Sequence, residues 1–165
     1  MKNFFPLFVL VVLTVVGCKA FDKELADKMR ADLDKLEGMA PAFETLNTNI
    51  SNMNNQLGAV PEAMKTENNA EYQNLLRISD NMSQKYQASA AEYNDLAGKF
   101  KNLVADYTAG KIKTEDVKKE YEMLSLSIQG MADVLDRLNQ RVDAMQAEYA
   151  KMSATWNAKA EETAK

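Results

Sequence analysis

The sequence predicts an all-α protein: a long antiparallel, coiled-coil-like helical hairpin extended to a three-helix bundle. Three observations predict it. Six glycines and three prolines in 165 residues leave few places to turn, so the elements must be long. Leu, Ala, Met, Glu, Lys, Asn and Gln dominate, and most of these are good helix formers. Apolar residues also recur at alternating steps of three and four, the 3.5-residue period of packed helices.

The first apolar seam runs through Leu25, Met29, Leu36, Met39, Phe43, Leu46, Ile50, Met53, Leu57, Val60 and Met64, and Asp32 interrupts it. The spacing predicts a helix over about 21–57 with a break at 38–41. Gly38-Met39-Ala40-Pro41 and Gly58-Ala59-Val60-Pro61 carry the same stop punctuation, glycine followed by proline. The apolar phase passes unbroken through Met39 and Phe43 but slips between Met64 and Tyr72. The first site therefore reads as a kink and the second as a reversal. If both reverse the chain, the bundle has four helices, two short and two long.

The second seam holds Tyr72, Leu75, Met82, Tyr86, Tyr93, Leu96, Phe100, Leu103 and Tyr107, with Ser79 and Ser89 in register, and predicts a helix over 61–108. Thr108-Ala109-Gly110-Lys111-Ile112-Lys113-Thr114 is the clearest turn. Gly110 suits positive φ at a helix end, Thr114 suits a cap, and Glu115 and Asp116 suit the first turn of the next helix. The third seam, Val117, Tyr121, Leu124, Ile128, Met131, Leu135, Leu138, Val142, Met145, Tyr149, Met152 and Trp156, predicts a helix over 115–163. Folding at Gly110 pairs residues whose numbers add to about 224, so aromatics face aliphatics and Ser79 and Ser89 face large residues. Matching the first helix to the second around residue 59 puts residue 22 near Leu96. The ends of the bundled chain are then about 50–60 Å apart.

The beginning of the chain has a different character. Lys2 precedes Phe4 to Val16, almost wholly apolar and short of the roughly 20 residues that span a bilayer. Val15-Val16-Gly17-Cys18 follows, and Cys18 is the only cysteine. A basic start, a short apolar run and a small residue at the cut site describe an export signal. This pattern resembles the lipobox of bacterial lipoproteins. The resemblance implies cleavage after Gly17, lipid on the Cys18 sulfur, acylation of the new amino group, and anchoring by several acyl chains. It divides the chain into a signal peptide, 1–17, and one elongated helical domain, 18–165. It also implies an envelope location. Lys19 stands where the enterobacterial pattern places an aspartate for inner-membrane retention, which favours the outer membrane.

Composition narrows the function. Without Lys2 the 20 basic residues become 19 against 24 acidic ones, a mildly acidic balance that argues against nucleic acid. No histidine is present, which removes the commonest general base and metal ligand. Paired carboxylates such as Asp116 and Glu120 read as solvated helix faces, and the Tyr/Phe stripe and the methionines read as core. No catalytic residue, metal ligand, cofactor or small-molecule substrate is expected. The expected role is structural or protein-interacting, with the membrane as one partner through Cys18 and self-association through the helices as another route.

Two features suggest alternatives. Residues 45–61 contain no charge and are rich in Asn and Gln, so Asn49, Asn52 and Asn55 are candidates for a partner face of a surface or periplasmic binding module. The chain also ends at Lys165. With Cys18 and the heptads, that loosely resembles the murein lipoprotein type, a shorter single helix that trimerises and whose terminal lysine is joined to peptidoglycan. The resemblance implies a tether through Lys165.

Overall fold

The computed structural model describes residues 22–66 and 69–163, and side-chain surroundings as far as residue 157. The protein is an all-α helical bundle, and no strand occurs among the described residues. Its elements are α1 (Lys23–Glu37), α2 (Ala40–Gly58), a one-turn 3-10 helix (Glu62–Met64), α3 (Ala70–Thr108) and α4 (Thr114–Thr163). Helices α1 and α2 form one bent helix that packs along both arms of the α3–α4 hairpin, so three helical layers surround the core.

The bend is a kink, as the unbroken apolar phase predicts. Gly38 and Met39 both keep right-handed helical angles, and the Gly38 amide still reaches the Asp34 carbonyl at 2.9 Å. Pro41 falls in the first turn of α2, where its missing N–H leaves no helical bond unmade. A Cβ at Gly38 would stand 3.2 Å from the Asp34 carbonyl oxygen, so a larger residue at the junction would need the backbone there to give by a few tenths of an ångström.

The reversal after α2 uses more chain than the spacing predicts. Pro61 is extended (φ −54°, ψ 139°), and the 3-10 turn follows it. The Lys65 ammonium donates to the Gly58 carbonyl at 2.9 Å, satisfying an acceptor at the end of α2. Helix α3 restarts only where a cap is available: the Asn69 side chain accepts from the Tyr72 amide at 3.2 Å. It therefore begins at Ala70 and not at residue 61, the start expected from the sequence. The longer connection shifts the register of α1 against α3, so residue 22 lies beside Tyr107 and not Leu96. The start of α1 and the end of α4 are accordingly about 70 Å apart along the axis, beyond the 50–60 Å expected.

The α3–α4 turn follows the sequence closely. Gly110 has φ +69°, its amide bonds the Tyr107 carbonyl, and the Lys111 amide bonds the Asp106 carbonyl, both at 2.9 Å. This paired closure satisfies the last carbonyls of α3. The ring contacts Phe100–Tyr121 (6.1 Å) and Tyr72–Trp156 (6.3 Å) straddle the register set by a fold at Gly110.

Buried side chains form two clusters. The larger one joins α1, the first half of α2, the second half of α3 and the first half of α4, with Met29, Leu36, Leu46, Phe100 and Val117 fully buried. The smaller, around Met53, Leu57, Leu75, Met145 and Trp156, closes the other end. Ile78 packs against both.

Candidate functional site

Four polar constellations stand out from the packed seams. The first is at the α1 end. Asp22 caps α1, its carboxylate accepting from the Leu25 amide at 3.0 Å. That amide bond, helped by Lys118 at 3.3 Å, holds the carboxyl below its usual range despite the opposing push of desolvation. The Asp22 amide donates to the buried Tyr107 hydroxyl at 2.9 Å, and that hydroxyl lies 3.0 Å from the Thr114 hydroxyl. One phenol thus joins the start of α1, the end of α3 and the start of α4. Tyr107→Phe is expected to cost about 1–2 kcal/mol in urea unfolding and to speed amide exchange in the first turn of α1.

The second constellation is built on Asp32, the interruption in the first seam. Its side chain is only 15% exposed. It accepts from the Tyr121 hydroxyl at 2.8 Å, the Ser125 hydroxyl at 3.2 Å and the Lys35 ammonium at 2.7 Å. Desolvation pushes the carboxyl up, but the Lys35, Tyr121 and Ser125 bonds together outweigh it and hold the group below its usual value. Burial, with the Asp32 bond behind it, pushes the Tyr121 phenol up. The third constellation couples α2 to α3. The Ser79 hydroxyl, in the second seam, donates to the Asn54 side chain, and Asn54 donates to Ser83 at 3.3 Å. Both clusters satisfy polar groups between helices and so specify which helix faces meet.

The fourth is the uncharged face of α2. Asn52 and Asn55 are exposed, whereas Asn49 is half-buried at the rim of the seam. Residues three apart on a helix drift by about 60° around its axis, so these three do not share one face. The exposed side chains here include Asn47, Ser51, Asn52, Asn54, Asn55 and Gln56. The neighbouring Thr45 and Thr48 hydroxyls are turned back to the Pro41 and Glu44 carbonyls. Reading by sequence missed the bonds that Asn54, itself exposed, makes to α3. The signal was Ser79, a small polar residue in an otherwise apolar register.

Between α3 and α4 lies an open groove with Met82 and Met145 at its base and Arg77, Arg141 and Glu148 around it. Among the described residues no group of three His, Cys, Asp or Glu side chains is placed to hold a metal ion. No described helix is long and apolar enough to cross a membrane. Cys18 and Lys165 both lie outside the described residues.

Fold and surface together define a class and nothing narrower: a three-helix, rod-like bundle with interhelical polar pins. No known protein family matches the chain, and no curated protein or solved structure does either.

Proposed function

We propose that this chain is a lipid-anchored bacterial envelope protein with a structural or protein-interaction role and no catalytic one. The observation that carries the reading is Cys18, the sole cysteine, directly after a short apolar run and Val15-Val16-Gly17. Two or more acyl chains at that cysteine anchor a protein stably, whereas one holds it only marginally. Asp22, which starts the bundle, is four residues further on. Lipid at Cys18 would keep the Tyr107–Gly110 end of the rod close to the bilayer, with the Pro61–Asn69 connection toward the other end. The interaction surface on this reading is the exposed part of α2, Asn47, Ser51, Asn52 and Asn55, where a partner meets hydrogen-bonding groups without desolvating a charge.

The test is metabolic labelling with a palmitate analogue, comparing the wild-type chain with Cys18→Ala and fractionating both. The expected result is label and membrane retention in the wild type and loss of both in the variant. An unlabelled wild-type chain overturns the reading.

A further inference from the structure

We infer that the outer face of α4 is a self-association surface that pairs two copies of this chain antiparallel about Leu126. Met123 and Leu126 are the two large apolar side chains most open to solvent among the described residues, at 64% and 68% exposure. They stand one turn apart in an uncharged stretch, residues 123–132. The face is a second seam, on the side of α4 away from the core: Glu115, Lys119, Glu122, Leu126, Gly130, Asp133 and Arg137 are all exposed. Outward from Leu126 the steps are four, three and four in both directions, the heptad spacing of a helix–helix contact.

The charges choose the direction. In an antiparallel pair with Leu126 on the two-fold axis, Lys119 meets Asp133 of the second copy and Glu115 meets Arg137, each twice by symmetry. A parallel pair would set Lys119 against Lys119, Asp133 against Asp133 and Arg137 against Arg137, which repel. None of the ion pairs within the described chain uses these four residues. Gly130 falls opposite Glu122 beside Met123, and a Cβ there would touch nothing of its own chain. Its missing side chain therefore leaves space for an incoming helix. The pairing does not depend on the lipid. If both copies are anchored in one membrane, their α4 starts are about 36 Å apart and the rods lie along the surface.

Oxidative cross-linking of the full chain in detergent-solubilised membranes tests this. Leu126→Cys is expected to give a disulfide-linked dimer. The wild-type chain, whose sole cysteine is Cys18, sets the background, and Ser51→Cys on the exposed face of α2 is the positional control. Adding Lys119→Glu to Leu126→Cys is expected to lower the dimer yield about fivefold, since two attractive pairs become repulsive. Adding Asp133→Lys to that chain restores it. No dimer from Leu126→Cys, equal yield from Ser51→Cys, a cross-linked product with a different protein, or a yield indifferent to charge reversal each overturns the proposal.

Discussion

Phe100→Ala is expected to destabilise the bundle by about 3–5 kcal/mol, the range for emptying a fully buried aromatic site. Phe100 is 0% exposed and sits where α1, α3 and α4 converge. Its ring meets Tyr121 edge-on at 6.1 Å, so truncation removes an aromatic contact as well as apolar area. The neighbouring helices are long and continuous and have little freedom to collapse into the void. Thermal unfolding should fall by about 10 °C or more for a chain of this size. Lys101→Ala, on an exposed residue of α3, should change stability by no more than about 0.5 kcal/mol, the baseline for a surface change. A Phe100→Ala chain that melts within a degree or two of the wild type would mean that the α3–α4 register differs from the one described.

Asp32→Ala is expected to cost about 1.5–3 kcal/mol at neutral pH, the range for hydrogen bonds to a charged group. Three donors lose their acceptor at once, two of them on α4. The loss should be pH-dependent with a definite sign. The folded carboxyl titrates below its ordinary value, so it binds protons less readily folded than unfolded. Its stabilising contribution is complete above the unfolded pKa of about 4 and is lost as pH falls through the lower, folded value. Wild type and Asp32→Ala should therefore differ most above about pH 5 and converge in stronger acid. Tyr121→Phe in both backgrounds completes a double-mutant cycle. The Tyr121 change should cost less once Asp32 is gone, because the two share one bond. Equal costs in both backgrounds would show that the bond carries no stability.

Much of the fold was legible because its elements are long. Over five or more heptads a 3.5-residue period cannot be mistaken for a strand, and Gly110 with Thr114, Glu115 and Asp116 marks one turn without ambiguity. The kink at Pro41 was legible from the unbroken apolar phase. The length of the second reversal was not. Pro61 announces that a helix has stopped but not where the next begins. That depended on Asn69 reaching the Tyr72 amide and on Lys65 capping the carbonyl of Gly58. The partner face was half legible. Absence of charge is a property of sequence, but the half-burial of Asn49 and the bond from Ser79 to Asn54 depend on how α2 is rotated against α3.

By itself the sequence determined the helical class, the seams and the α3–α4 register, and it carries the Cys18 pattern from which lipidation is proposed. Each rests on local spacing or on residue identity, and neither needs a neighbour in space. Only the tertiary structure decided that Asp32 is a pin and not a flaw in the seam, that Tyr107 ties three helix ends together, and that Met123 and Leu126 face outward. Those are questions of which surface a side chain meets. The rotation and offset of whole helices answer them, and both are set by the summed packing of residues far apart in the chain.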